Sequence, residues 1–177
     1  MVRVTFVRHT SVDVPSCTCY GQSDVGLSST FAREAEVVKS KLADREFTRV
    51  FTSPLSRCVR LAAACGYPKA EADPRLLEMN FGDWEMQVWA EITDPRLQEW
   101  FDDWQHVTPT GGESFLDQQR RVASFLQSLR LLPDGTTVLV FTHGGVLMQV
   151  MLLTGLATPD DIFTRQPTYG QLLEVEL

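Results

Sequence analysis

Thr137-Val138-Leu139-Val140-Phe141-Thr142-His143-Gly144-Gly145 is the stretch that decides the fold. Its first six residues form a nearly continuous apolar run behind the Asp134-Gly135 turn. Such a run suits a central strand covered on both faces, as in a parallel sheet between two layers of helices. A histidine and two glycines follow at once, where a helix to about Thr154 begins. In open α/β sheets, ligands bind beyond the carboxyl ends of the strands. His143 therefore stands where a site would form, and Gly144-Gly145 at the helix start would offer backbone N–H groups to an anion.

Working outward, Val2 to Val7 is β-branched, short and partly alternating, a strand that ends in Arg8-His9-Thr10. Residues 9–26 hold Pro15, Gly21 and Gly26 and no helical period, so they read as a long loop. Phe31, Ala35, Val38 and Leu42 recur at helical spacing, which predicts an amphipathic helix from about Ser28 to Leu42. Arg49-Val50-Phe51-Thr52 predicts a short strand. Ser53-Pro54 then reads as a helix N-cap with proline at the first helical position, and Gly66 as the terminator. Leu55, Cys58, Val59, Ala62 and Cys65 would form the buried face between them.

Asp94-Pro95 starts another helix by the same logic, carrying Leu97, Trp100, Phe101 and Trp104. Ser114-Phe115-Leu116-Asp117 resembles a capping box. The helix after it would bury Val122, Phe125, Leu126 and Leu129, and Gln171 to Val175 alternates like a last strand. The expectation is one α/β domain over residues 1–177. It would be a three-layer sandwich with a largely parallel sheet, helices on both faces, and a small helical lid from Glu78 to Gly112.

The chain has 177 residues, 44% hydrophobic and 22% charged, with a net charge of -7 from 16 basic and 23 acidic residues. No run of about 18 apolar residues is present to span a membrane. The amino terminus is too short and too alternating for a signal peptide. An acidic chain without a basic stripe is a poor binder of nucleic acid or anionic membrane. An anionic ligand must be held by a local cluster of Arg or Lys. Cys17, Cys19, Cys58 and Cys65 fit neither a disulfide scaffold nor a zinc site, which suits reduced thiols in a cytoplasmic protein. Cys58 and Cys65 read as small core residues of one helix.

His9 and His143 end two strands and can meet in one pocket. Arg8 adjoins His9, and Arg57 falls in the first turn of its helix. Arginine's planar fork matches phosphate oxygens. Each residue alone has an ordinary structural use. Together they make an anion site with two histidines.

Five stretches in order carry a resemblance: Val7-Arg8-His9-Thr10; Ser53-Pro54-Leu55-Ser56-Arg57; Leu77-Glu78 with Phe81-Gly82-Asp83-Trp84-Glu85; Gly111-Gly112-Glu113-Ser114; and Thr142-His143-Gly144-Gly145. The chain resembles the histidine phosphatase superfamily, which is phosphoglycerate-mutase-like, over roughly residues 2–155. That resemblance implies a phosphomonoesterase working through phosphohistidine. His9 would be the nucleophile and Glu78 the acid that protonates the leaving oxygen. His143 would hydrogen-bond the phosphoryl group, and Arg8 and Arg57 would clamp its oxygens. No cofactor and no metal are implied. The partner would be a small phosphomonoester, with the enzyme a monomer or homodimer. The family's usual Arg-His-Gly reads Arg8-His9-Thr10 here, and its loop asparagine is missing. Thr10 or Ser23 is left to supply the phosphate contact, and Gly144 a backbone one.

Within that family, Cys19-Tyr20-Gly21-Gln22-Ser23-Asp24 with Leu27, and Glu78 to Glu85, look most like the α-ribazole phosphatases. This implies hydrolysis of α-ribazole 5′-phosphate in cobalamin biosynthesis. Tyr20, Phe81, Trp84, Trp89, Trp100 and Trp104 are candidates to surround the mouth, with Trp84 the most structural of them. A broad-specificity histidine phosphatase, a phosphoglycerate mutase and a non-catalytic anion-binding module are the alternatives.

Overall fold

The computed structural model describes all residues from Met1 to Leu177. Its centre is a five-stranded sheet built from β1 (Arg3–Arg8), β3 (Arg49–Thr52), β4 (Glu71–Ala72), β6 (Thr137–Thr142) and β7 (Leu172–Glu176). The spatial order is β4-β3-β6-β1-β7. Only β7, an edge strand, runs antiparallel to its neighbour. The quoted run is thus the middle strand, paired in parallel with β1 on one side and β3 on the other.

The two faces of β6 bury different residues, as the side-chain alternation of a strand requires. Val138 and Val140 pack with Val4, Phe6 and residues of α4 (Phe115–Arg130) and α5 (Gly144–Leu153). Leu139 and Phe141 pack with Val7 and residues of α1 (Phe31–Leu42) and α2 (Ser56–Ala64). The expected mostly parallel α/β sandwich is therefore observed. Truncating any of these buried Leu or Phe side chains to Ala costs ~2–5 kcal/mol.

Local signals set several boundaries. Ser114 and Asp117 form the reciprocal capping box at the start of α4. At the end of α2, Gly66 adopts φ +98°. Its N–H and that of Tyr67 then close on the carbonyls of Ala63 and Ala62, a Schellman ending that favours glycine at that position.

Three local expectations are corrected. Ser53 does not cap α2, which begins at Ser56 with Leu55 as the flanking residue. Asp24 takes the capping role, accepting from the Ser56 N–H and hydroxyl at 2.9 and 2.7 Å. The helix after Asp94, α3 (Arg96–Asp102), ends before Trp104. The lid holds that one seven-residue α-helix and 3₁₀ turns at Gly82–Trp84 and Trp89–Glu91. A two-stranded ladder joins β2 (Thr18–Cys19) to β5 (Gln87–Val88).

Backbone bonds strap the lid, and they explain why two of its motifs belong together. Asp83 N–H reaches Thr110 O at 2.8 Å, and Glu113 N–H reaches Asn80 O at 2.9 Å. A Cβ at Gly82 would lie 2.2 Å from Thr110 O, and one at Gly112 2.3 Å from Asn80 O. The two loops can approach so closely only because both positions are glycine.

Candidate active site

β1 and β6 lie side by side with Arg8 opposite Thr142. This register puts the next residues, His9 and His143, at the same end of adjacent strands, with ring centroids 5.2 Å apart. His9 N–H donates to Thr142 O at 3.0 Å and fixes that alignment. His9 is 1% exposed and His143 is fully buried.

His9 Nδ1 lies 2.7 Å from the Thr10 carbonyl. A carbonyl only accepts, so Nδ1 carries the hydrogen and Nε2 keeps a bare lone pair. Burial first, then the Arg57 charge, pushes His9 down to about 3, so the ring stays neutral near pH 7. His143 is held well below its ordinary range by burial and by Arg57. Its Nε2 sits 2.7 Å from Ser53 Oγ, and the Cys58 thiol packs 3.6 Å from the same nitrogen. The serine expected to cap α2 instead orients the second histidine.

Arg57 is fully buried. Its Nη1 and Nη2 donate to the carbonyls of Ser23 and Gly21 at 2.8 and 2.6 Å. Arg8 donates to the Pro167 carbonyl and stacks on Tyr169, its Cζ 4.2 Å from the ring centre. Buried atoms without a partner are few: Arg8 Nε, His9 Nε2, Thr10 Oγ1, Arg57 Nε, Thr18 Oγ1 and Trp100 Nε1. The first four all belong to the expected anion site. A buried polar atom left unpaired costs free energy and calls for an explanation.

Glu78 reaches the start of α5. Its Oε2 accepts from Gly145 N–H at 3.1 Å, and Oε1 accepts from Met79 N–H at 2.8 Å and Gln118 Nε2 at 3.2 Å. A Cβ at Gly145 would lie 2.2 Å from Glu78 Oε1, so glycine there makes room for the carboxylate. The N–H at the helix start is thus taken up by the carboxyl group of Glu78. At Gly144, the residue expected to meet phosphate, a Cβ would lie 3.1 Å from the Arg8 guanidinium. Its lack of a side chain gives Arg8 clearance.

Ser23 is where the structure departs furthest from expectation. Its N–H and hydroxyl both donate to Glu85, and its carbonyl receives Arg57. The hydroxyl is engaged, and Ser23 serves as a prop for Arg57. Glu85 also accepts from Gln22 and Phe81 N–H groups. The Thr10 hydroxyl, by contrast, is buried without a partner beside His9.

Of the six aromatics proposed for the mouth, Tyr20 lies closest to the histidines, 6.5 Å from the His9 ring. Phe81, Trp84, Trp89 and Trp100 form a cluster of their own, and Trp84 is buried with its N–H on Asp94. Trp104 packs against Phe115 and Phe163.

Sequence reasoning missed Tyr169, 5.6 Å from the His9 ring. It also missed Gln118 and Gln149, both fully buried, with Gln149 Nε2 donating to Gln118 Oε1 behind Glu78. The available signal for Gln149 was a lone polar residue inside the apolar helix Val146 to Leu153.

A parallel α/β sheet with two buried histidines and two arginines beyond its strand ends defines an anion-handling site. Residues 4–176 match the family described as the histidine phosphatase superfamily (branch 1), and the chain belongs to that family. A curated relative from Salmonella typhimurium, "Adenosylcobalamin/alpha-ribazole phosphatase", is 31% identical over 153 residues, 82% of this chain and 76% of its own length. "Probable phosphoglycerate mutase GpmB" of Yersinia enterocolitica is 33% identical over 164 residues, 86% of this chain and 75% of its own length. The solved alpha-ribazole phosphatase of Shigella flexneri superposes with a TM-score of 0.87 at 25% identity, covering 99% of this chain and 90% of its own.

Proposed function

We propose that the protein hydrolyses a phosphomonoester through a phosphohistidine on His9, and that the ester is α-ribazole 5′-phosphate. The observation that carries the reaction is His9 Nε2, a buried lone pair without a partner, together with the buried and equally unpartnered Nε–H groups of Arg8 and Arg57. In the first step the Nε2–P bond forms and the P–O bond to the ribose oxygen breaks. That oxygen leaves with the proton of Glu78. In the second step water attacks phosphorus, Glu78 takes its proton, and inorganic phosphate departs from a restored His9. Arg8 and Arg57 stabilise charge on the phosphoryl oxygens, which phosphoryl transfer needs more than it needs covalent chemistry. His143 hydrogen-bonds the phosphoryl group, and the Thr10 hydroxyl takes the place of the missing loop asparagine. The substrate assignment is supported by the names of the Salmonella and Shigella proteins.

Rapid quench with radiolabelled substrate tests the mechanism. An acid-labile, base-stable phosphoenzyme should accumulate in the wild type and vanish in His9→Ala along with turnover. A folded His9→Ala protein that turns over normally overturns the assignment. A screen of phosphomonoesters should rank α-ribazole 5′-phosphate first by kcat/KM. Conversion of 3-phosphoglycerate to 2-phosphoglycerate without phosphate release would identify a mutase instead.

A further inference from the structure

The chemistry above leaves two tyrosines beside His9 without a task. Tyr20 belongs to the loop after β1, and Tyr169 to the turn before β7. Their hydroxyl oxygens are 3.2 Å apart, although the residues are 149 positions apart in the chain. Each ring rests on one of the two site arginines: Tyr20 lies 5.1 Å from Arg57 Cζ, and Tyr169 4.2 Å from Arg8 Cζ. The same rings lie 6.5 and 5.6 Å from the His9 ring. His9 is 1% exposed, and its Nε2 is sealed from solvent. An ester cannot reach a nitrogen that water does not touch unless something covering it moves.

The backbone on both sides is pinned. Arg57 holds the carbonyls of Gly21 and Ser23, and Glu85 holds the N–H groups of Gln22 and Ser23. On the other side, Gly170 N–H donates to the carbonyls of both Arg8 and His9 at 3.1 Å, and Arg8 itself donates to the Pro167 carbonyl. Movement is therefore left to the tyrosine side chains. Tyr20 is half-buried, whereas Tyr169 is 40% exposed and has solvent to turn into. Rotamer changes of exposed side chains are fast.

We propose that Tyr20 and Tyr169 form a gate over His9. Their hydroxyl–hydroxyl hydrogen bond holds it shut, and rotation of Tyr169 opens it, so that a phosphomonoester meets His9 only after that bond breaks. The gate rests on the phosphatase reading of the pocket. Opening lifts the Tyr169 ring from the Arg8 guanidinium and leaves that group free for phosphoryl oxygens. Access and phosphate binding are thereby one event. A ligand that binds only the open state has its apparent association scaled by the open fraction.

Stopped-flow binding of vanadate, a phosphate mimic, tests this in Tyr20→Phe, Tyr169→Phe and the double variant. The rings and their arginine contacts remain, and only the bond between hydroxyls is lost. Each single variant should bind vanadate about 2- to 10-fold faster, the factor equivalent to one ordinary hydrogen bond. The double variant should be no faster than the singles, because either substitution already removes the shared bond. Tyr67→Phe, whose ring packs on Phe47 and Phe141 away from the pocket, should match the wild type. Unchanged or slower association in the single variants overturns the gate, as do effects that multiply in the double variant. A wild type that neither binds vanadate nor releases phosphate overturns the phosphatase reading and the gate with it. A wild type that does both, with no acceleration in the variants, overturns the gate alone.

Discussion

The two ends of the central sheet carry charge in opposite ways. Beyond the carboxyl ends of β1 and β6, Arg57 and both histidines are buried, and His9 Nε2 and Arg57 Nε are unpartnered. At the other end, Arg45 and Glu174 form an ion pair with side chains 40% and 59% exposed. A depression of about 750 Å³ opens there, lined by Arg3, Arg45, Glu46, Thr137, Glu174 and Glu176 among others. The roomy end carries a solvent-exposed ion pair, and the tight end carries buried groups without partners. Room alone does not mark a site. A cluster of polar groups kept buried without partners does, because burial makes each of them costly unless it has a use.

The largest expected effect tests the tight end. Glu78→Gln keeps the shape of the side chain and removes the transferable proton. General acid catalysis is typically worth ~10²–10⁴-fold, so kcat/KM for the ribose phosphate should fall by about that factor. p-Nitrophenyl phosphate, whose leaving group departs almost unaided, should lose far less. Equal losses on the two substrates would assign Glu78 a structural or phosphate-binding role. Glu85 and Glu113 are poorer substitutes, since Glu85 collects donors from Gln22, Ser23 and Phe81, and Glu113 pairs with Arg121 at 2.6 Å.

A middle-sized effect follows from the buried imidazoles. His9 falls from 6.5 to about 3 on folding, chiefly by burial, and His143 shifts the same way. Below pH 6.5 the unfolded chain takes up protons that the folded chain refuses. Folding stability is therefore full above that pH and declines as pH falls through the window between 6.5 and 3. Each such group contributes a slope approaching ~1.4 kcal/mol per pH unit once well inside the window. Urea unfolding of the wild type should show this decline by about pH 5, above the range where carboxylates titrate. His9→Asn should remove roughly half of it by the same linkage. An unaltered slope in His9→Asn would show that His9 takes up a proton as readily folded as unfolded.

The same contrast governs what the sequence could disclose. β1, β3, β6 and β7 were legible because their patterns are local, and the Ser114–Asp117 box because its partners are three residues apart. His9, Arg8, Arg57 and His143 were legible as strand-end and helix-start residues. Where a partner comes from far along the chain, the reading failed. Asp24 caps α2, Ser53 therefore turns to His143, and Glu85 takes the Ser23 hydroxyl. Tyr169 has no periodic context at all. Its relation to His9 arises from the antiparallel return of β7 beside β1. Such roles are properties of tertiary contact and have no signature at the residue itself.

The smallest expected effect tests the roomy end. Arg45→Ala breaks the pair with Glu174 that bridges the turn before β3 to the last strand. Exposed ion pairs are worth ~0–1 kcal/mol, because solvent screens the charges and two long side chains must be ordered. For a domain of this size that corresponds to a Tm shift of ~2–4 °C at most. The site lies beyond the opposite ends of the same strands, and the β1–β6 pairing that aligns His9 with His143 does not use Arg45. Turnover should therefore be unchanged in Arg45→Ala, whereas Arg57→Ala, which removes the buried guanidinium holding the Gly21 and Ser23 carbonyls, should lower it. Thermal melts and kcat/KM on both variants check the contrast. A tenfold loss of kcat/KM in Arg45→Ala would mean that the depression at the far end communicates with the histidines, and the two ends could no longer be treated as independent.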